Sequence, residues 1–211
     1  MIKVISLDIG GTLIEFNDDT LSKYGFKELS DITNLPYNDV RLAYKDIFQK
    51  TKGTRSELIN NFCKLLNIKR TIQLENYFKN KFAKKKNIIS LDKIDVIKDL
   101  KKLGYKIILF SNNCCLLQDY FEDYDGLFDN IFYSFDIGYT KNEKESYRYI
   151  EKNMGYKPYE FLHIGDTLKS DYIYPKENGW EAIYYGDCDD SEVVNIKSFN
   201  EIPKCLTKYL K

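Results

Sequence analysis

The chain has 211 residues, which is enough for one substantial core and a smaller second domain. Its 32 basic and 32 acidic residues give a formal net charge of zero, which argues against a nucleic-acid or anionic-membrane partner. No apolar segment approaches the roughly 18 to 20 residues needed to cross a bilayer, and Asp8 interrupts the N-terminal apolar run where a signal peptide would continue. We therefore expect a cytoplasmic protein.

Five short apolar segments, rich in β-branched and aromatic residues, have the character of buried strands. They are residues 3–7 (KVISL), 106–110 (KIILF), 131–134 (IFYS), 160–164 (EFLHI) and 181–185 (EAIYY). Helical patterns lie between them, as in residues 91–104, where Gly104 stands at the position of a C-terminal cap. This alternation predicts an α/β fold with a doubly wound parallel sheet.

Residues 15–88 interrupt the alternation, because they contain helical patterns and no convincing strand. A segment of this length is too long for a loop and predicts a separate helical cap domain over the sheet. Residues 1–14 and 89–211 would then form a Rossmann-like core. Within the cap, Thr54 and Glu57 have the spacing of a capping box at the start of a helix.

Polar side chains follow the predicted strands, where ligands of an open α/β sheet bind. The residues in these positions are Asp8, Ser111, Asn112, Asp166 and Asp171. Lys141 stands just before a predicted helix and should reach the same edge of the sheet. This combination suits phosphoryl transfer, because acids can hold magnesium, a lysine and a hydroxyl can hold phosphate, and one carboxylate can attack.

The order of these motifs along the chain is DxxGT, SN, GYxK and GDxxxxD, and it resembles the haloacid dehalogenase-like (HAD) hydrolase superfamily. The resemblance extends from Val4 to Gly186 and covers the predicted cap only in its position, length and helical character. It implies that Asp8 is the nucleophile and forms an aspartyl-phosphate. It further implies that Ser111 binds the phosphoryl oxygens and that Lys141 neutralises nucleophile and phosphate.

The same resemblance implies a bound Mg²⁺ ion and a small phosphorylated substrate. Asp8, the Gly10 carbonyl and Asp166 would bind the metal, while Asp171 would bond a metal-bound water or the lysine. In related caps, substrate-contacting residues lie where this chain has TKGTRSEL. The residues expected to contact the substrate are Thr12, Asn112 and Arg55.

Position 10 departs from the family pattern, since most phosphatases of the superfamily have DxDGT and this chain has Gly10 in place of the second acid. That acid protonates the leaving oxygen and then activates the water that clears the aspartyl-phosphate. General acid-base help is worth about a hundred- to ten-thousandfold, or roughly 3 to 5 kcal/mol of barrier. The protein would then act on acyl or aryl phosphates, whose leaving groups need no proton, or take its acid from the cap or the substrate.

Two further interpretations stay open. Relatives without the acid include enzymes that cleave carbon–phosphorus or carbon–halogen bonds. Carbon–phosphorus cleavage would require a cap lysine for a Schiff base, for which Lys50 and Lys52 are available, whereas carbon–halogen cleavage would not need the metal site of GDTLKSD. Alternatively, the protein is a weak catalyst that mainly binds a phosphorylated ligand.

The string DIGGT also resembles the first phosphate loop of sugar kinases with the actin-like ATPase fold. Such kinases need a second glycine-rich loop, and Gly10-Gly11 is the only adjacent glycine pair in this chain. The kinase interpretation also leaves SNN, GYTK and GDTLKSD unexplained, which disfavours it. His163, the only histidine, lies in an apolar strand, and we interpret it as a packed residue rather than a catalytic one.

Overall fold

A parallel sheet forms the centre of the fold in a computed structural model, which describes residues 1–14, 23–83, 88–117, 124 and 126–209. The strands in this part of the chain are β1 (Val4–Leu7), β2 (Lys106–Ser111), β3 (Asn130–Tyr133), β4 (Phe161–Gly165), β5 (Glu181–Tyr185) and β6 (Asn195–Ile196). All neighbours pair in parallel, in the order β3-β2-β1-β4-β5-β6. The strand order reverses direction at β1, since β2 and β3 lie on one side of it and β4 to β6 on the other. Ligands of such sheets bind where the order reverses, which is at the carboxyl ends of β1, β2 and β4.

The central strands are buried on both faces and are mostly apolar, with Ser6 and His163 as buried polar exceptions. Every residue of β1 and of β4 is buried, and Ile5 of β1 lies in register with Ile107 of β2 and Leu162 of β4. Parallel strands with helices on both faces need such continuous apolar sequences. The predicted α/β fold with a parallel sheet is confirmed. Strand β6 was not predicted, since its two residues are too few to form a recognisable pattern.

Helices cover both faces of the sheet. They are α5 (Leu91–Lys102), α6 (Ser134–Ile137), α7 (Lys144–Met154), α8 (Tyr174–Glu177) and α9 (Ile202–Leu206), with a π-helical segment at Leu168–Ile173 and 3₁₀ turns at Pro158–Glu160, Phe199–Glu201 and Thr207–Tyr209. Ile107 of β2 packs in the cluster under α5 and α9, whereas Ile108 packs with Tyr147 of α7 and Trp180 on the other face. Gly104, at φ +93°, follows α5 at the predicted position.

Residues 23–83 contain helices and no strand. The helices are α1 (Lys23–Thr33), α2 (Tyr37–Phe48), α3 (Arg55–Leu65) and α4 (Ile72–Lys81). They have their own hydrophobic cluster, in which the rings of Phe48, Phe62 and Phe78 lie 4.5 to 5.8 Å apart. The predicted capping box of Thr54 and Glu57 is present at the start of α3.

The boundaries of the cap stay a prediction, because the predicted segment 15–88 includes residues 15–22 and 84–87, which lie outside the described residues. Helices α1 to α4 nevertheless pack mainly against one another, and the loop that follows β2 contributes Cys114 to their cluster. Among the described residues, no helix is both long and apolar enough to span a membrane.

Candidate active site

Three acidic side chains meet at the carboxyl edge of the sheet. Asp8 directly follows β1, Asp166 directly follows β4, and Asp171 comes within the π-helical segment after β4. One carboxylate oxygen of each lies within 4.8 Å of the others. The Asp8 N–H donates to the Ile164 carbonyl at 2.9 Å, and the Thr167 N–H donates to Asp171 Oδ2 at 2.9 Å, so the backbone holds two of the acids in place.

Two glycines make room for these acids. Gly11 has a φ of +76°, and a Cβ atom there would lie 2.1 Å from Oδ2 of Asp166. A Cβ atom at Gly165 would lie 2.5 Å from Cγ of Asp171. Any larger residue at these positions would displace the carboxylates, so the glycines form a cradle in which both acids lie against the backbone.

Lys141 supplies a buried ammonium group between the acids. Its side chain is 2% exposed, and its Nζ donates to Asp8 Oδ1 at 2.5 Å and to Asp171 Oδ1 at 2.6 Å. Asn112 Oδ1 accepts a hydrogen bond from the Lys141 N–H, and the Tyr147 hydroxyl donates to the Lys141 carbonyl, both at 2.9 Å. The connection between α6 and α7 therefore brings one fixed cation to the ends of β1 and β4.

One ammonium group does not balance three carboxylates. Burial raises the pKa of Asp8 to about 7, against the opposing effect of Lys141. Burial, with repulsion from Asp171, also raises the pKa of Asp166. Burial acts in the same direction on Asp171, but Lys141 and a hydrogen bond from His163 outweigh it and hold the pKa of Asp171 well below its usual range. The site therefore has an excess of negative charge.

This donor set fits Mg²⁺, which prefers oxygen ligands and is usually held by one or two carboxylates together with waters and substrate phosphate. Asp8 and Asp166 offer such oxygens, and Asp171 lies close enough to bond a metal-bound water. Gly10 belongs to a tight turn in which the Gly11 N–H donates to the Ile14 carbonyl at 2.8 Å. Its own carbonyl as a metal ligand stays a prediction.

Of the other predicted site residues, three lie at the carboxyl edge of the sheet and Arg55 lies in α3. Ser111, at the end of β2, is buried, and Asn112 follows it. The Thr12 hydroxyl is buried and donates to Asp166 Oδ1 at 3.4 Å. Helix α3 begins at Arg55, and the side chain of Arg55 is exposed. No contact within the described residues joins Arg55 to the acids. The substrate contacts of Thr12, Asn112 and Arg55 stay predictions.

His163 is part of the site, although the sequence indicated only a packed histidine. It is buried as expected, but its Nε2 lies 3.1 Å from Asp171 Oδ1 and its Nδ1 lies 2.9 Å from Ser6 Oγ. Burial and the charge of Lys141 lower the pKa of His163 to about 4, so the ring is neutral near pH 7. Because a carboxylate only accepts, Nε2 carries the proton and Nδ1 accepts from Ser6. The local sequence does not indicate the contact between His163 and Asp171, because the chain must turn back after β4 to bring the two residues together.

Lys93 of α5 is a second buried cation that the sequence analysis did not identify. Its side chain is buried, its Nζ donates to the Thr12 carbonyl at 2.8 Å, and it lies 5.5 Å from the ring centroids of Tyr185 and Phe199. The contact fixes the loop that follows Asp8. A signal was available, since Lys93 shares the buried face of α5 with Ile97, four residues further on.

The two cap lysines considered for Schiff-base chemistry both pair with acids of the core. Lys50 Nζ lies 2.9 Å from Glu143 Oε1, and Lys52 pairs with Asp136. These acids raise the pKa of both lysines, for Lys50 against the opposing effect of burial. An amine must lose its proton before it attacks a carbonyl, so these pairs disfavour either lysine as a nucleophile.

A carboxylate directly after the first strand of a doubly wound sheet, with a lysine and two further acids around it, defines a hydrolase of the HAD type. Residues 2–178 match the haloacid dehalogenase-like hydrolases, and the chain belongs to this family. The chain is therefore a hydrolase with a Rossmann-like core, and the actin-like kinase alternative does not fit this fold.

Individual relatives agree with the family. An uncharacterised hydrolase of Schizosaccharomyces pombe is 26% identical over 215 aligned residues, which cover 89% of this chain and 91% of the relative. Enolase-phosphatase E1 of a Sulfurihydrogenibium species is 27% identical over 190 residues, covering 79% of this chain and 80% of the enzyme. A HAD family enzyme of Bacteroides thetaiotaomicron, solved with magnesium and inorganic phosphate, has a TM-score of 0.60 at 17% identity, covering 90% of this chain and 98% of that chain. The last likeness shows the shared fold.

Proposed function

We propose that this protein is a magnesium-dependent phosphatase that hydrolyses a small phosphorylated metabolite through an aspartyl-phosphate on Asp8. One observation carries the proposal: the ammonium group of Lys141 contacts Asp8 and Asp171, and an oxygen of Asp166 lies within 4.8 Å of both acids. A carboxylate that is buried beside a cation and two further acids is suited to attack phosphorus once added positive charge keeps it ionised.

The steps follow from the chemistry of these groups. An Asp8 oxygen attacks phosphorus, the bond from phosphorus to the ester oxygen breaks, and the leaving oxygen takes up a proton. Water then attacks the phosphorus of the acyl phosphate, which releases inorganic phosphate and restores the Asp8 carboxylate. Ser111 and Lys141 hold the phosphoryl oxygens during both displacements. When bound by Asp8 and Asp166, Mg²⁺ supplies the positive charge that lets a carboxylate and a phosphate dianion approach each other.

The cap, residues 15–88 in our division of the chain, would cover the crevice and limit access of water to the substrate. Arg55, Thr12 and Asn112 are the residues that we propose contact the substrate. The pairing of Lys50 and Lys52 with core acids argues against carbon–phosphorus cleavage through these lysines. Asp166 and Asp171 of GDTLKSD could hold a metal that carbon–halogen cleavage does not need, which argues against a dehalogenase.

Gly10 sets the expected range of substrates. Without an acid at this position, the leaving oxygen takes its proton from water, the cap or the substrate, at a cost of about a hundred- to ten-thousandfold in rate. Aryl phosphates and acyl phosphates, which have good leaving groups, are affected least. A phosphatase with this loop should therefore prefer them to sugar phosphates.

The test is phosphate release in the presence of Mg²⁺ across aryl, acyl and sugar phosphates. Wild type is compared with Asp8→Asn, with Gly10→Asp, and with Asp95→Asn as a control at an exposed aspartate of α5. We expect turnover in wild type and Asp95→Asn, none in Asp8→Asn, and faster release from sugar phosphates in Gly10→Asp. If wild type and Asp8→Asn are equally inactive while both bind phosphate with Mg²⁺, the protein is a phosphoryl-ligand binder and not a phosphatase.

A further inference from the structure

Besides the packing of Cys114 in the cap cluster, the described residues show a second contact between cap and core, made by residues 49–54, the loop that joins α2 to α3. Lys50 of this loop pairs with Glu143, and Lys52 pairs with Asp136. The Cys115 thiol lies 3.4 Å from the carbonyl of Gly53. Asp136 and Glu143 flank residues 138–142, which include Lys141 and most of the turn that Glu143 closes. The cap loop is therefore seated on the part of the core that presents the buried lysine.

Glu143 connects the cap to this turn through its two carboxylate oxygens. Oε1 accepts from Lys50 at 2.9 Å, while Oε2 accepts from the Thr140 N–H at 3.0 Å and from the Thr140 hydroxyl at 2.9 Å. The Glu143 N–H donates to the Thr140 carbonyl at 2.9 Å and closes the turn. One side chain thus fixes the residue immediately before Lys141 and binds the cap at the same time.

The position of Thr140 matters for the site because the connection from Thr140 through Lys141 to Asp8 has little conformational freedom. Thr140 and Lys141 are both buried, the Lys141 N–H is bound by Asn112, and Nζ reaches Asp8 at 2.5 Å. A small rotation of the turn would lengthen the contact between Lys141 and Asp8. Displacements of about 1 Å in such groups can lower a rate by about a hundredfold.

Among the described residues, two ion pairs join cap and core, and the pair of Lys50 and Glu143 is the less exposed of them. Its side chains are 22% and 28% exposed, compared with 63% and 36% for Lys52 and Asp136. Hydrogen bonds from Thr140 and Lys50 hold the pKa of Glu143 below its usual value, although burial opposes them. Partly buried ion pairs keep more of their interaction energy than exposed ones, which water and salt screen.

We propose that Lys50 and Glu143 form a latch through which the docked cap fixes Lys141 against Asp8. Glu143 is a positioning residue in this latch, since it acts through Thr140 and does not reach the reacting atoms. The site is then complete only when the cap is docked, so phosphoryl transfer is confined to the closed protein. The kinetic part of this inference rests on the proposed phosphatase activity.

The kinetic test is a double-mutant cycle with p-nitrophenyl phosphate and Mg²⁺. The variants are Lys50→Met, Glu143→Gln, their combination, and Lys50→Arg as a conservative replacement. Asp46→Asn is the matched control, because Asp46 pairs with Lys50 at 3.2 Å within the cap and has no ion pair with a core residue in the described part of the chain. We expect each single variant to lower kcat about tenfold with KM within about twofold of wild type, and the double variant to be no slower than the slower single. Lys50→Arg should recover most of the loss.

A second measurement does not need activity. Amide hydrogen exchange in the peptides covering residues 138–147 should be faster in Lys50→Met and Glu143→Gln than in wild type or Asp46→Asn. Exchange that is unchanged in both variants overturns the latch, whether or not the protein is a phosphatase. Multiplicative effects on kcat, or a loss confined to KM, overturn its catalytic role. Faster exchange in a wild type that releases no phosphate would keep the latch and refute only the proposed function.

Discussion

Replacement of Asp8 by Asn should stabilise the metal-free protein at neutral and alkaline pH. The pKa of Asp8 rises from 3.8 to about 7 in the native state. Each pKa unit corresponds to about 1.4 kcal/mol, so an ionised Asp8 costs the native state about 4 kcal/mol relative to the unfolded chain. Because the native pKa is raised, this loss of stability begins near pH 4, grows with pH and is complete above pH 7. Asn has no such loss, and its amide oxygen can still accept from Lys141.

The assay is urea unfolding in excess EDTA at pH 5, 6, 7 and 8. We expect Asp8→Asn to exceed wild type in its free energy of unfolding by about 2 to 4 kcal/mol at pH 8, and by less than half of that at pH 5. Asp95→Asn, at an exposed position on α5, should differ from wild type by less than about 0.5 kcal/mol throughout. A variant that is no more stable than wild type at pH 8 would refute the inference that burial, together with repulsion from the neighbouring acids, outweighs the attraction between Lys141 and Asp8. Added Mg²⁺ should stabilise wild type more than Asp8→Asn.

Three further substitutions test the site and the cap. Gly165→Ala places a Cβ atom 2.5 Å from Cγ of Asp171, so Mg²⁺ affinity measured by titration calorimetry should fall at least about tenfold, and unchanged affinity contradicts the cradle. His163→Leu removes the hydrogen bonds to Asp171 and Ser6 and should lower the free energy of unfolding by about 1 to 3 kcal/mol in urea, whereas a loss below about 0.5 kcal/mol counts against these bonds. Phe48→Ala empties a fully buried position in the cap cluster and should cost about 3 to 5 kcal/mol in the same assay, a value that a loosely packed cap would not reach.

Most of the fold could be predicted because its signals are local. Buried parallel strands need continuous apolar segments, and the five predicted segments correspond to β1 to β5 with ends shifted by one residue or less. The acids that follow β1 and β4 could be placed at one edge of the sheet, since parallel strands end on the same side. Strand β6 could not, because two residues paired at the edge of a sheet leave no pattern in the sequence.

The contacts that orient the site could not be predicted, because their partners are far apart in the sequence. Ser6 and His163 are 157 residues apart, and Lys50 and Glu143 are 93 residues apart. Neither pairing can be recognised from hydrophobic periodicity or from a short motif. Lys93 did leave a local signal, since it is a charged residue on the apolar face of α5. That signal predicts that Lys93 is buried, but it does not identify the Thr12 carbonyl as a hydrogen-bond acceptor.

The local motifs and the contacts between distant residues have different consequences for catalysis. The motifs supply the reacting groups, and residues outside the motifs help to orient two of them. Tyr147 binds the Lys141 carbonyl, His163 binds Asp171, and Glu143 binds the residue before Lys141. Because three acids share one ammonium group, contacts from outside the cluster add to those of Lys141 in fixing its geometry. A chain that kept Asp8 and Lys141 but lost these contacts should retain the sequence signature of the family and much of its metal affinity, while kcat falls.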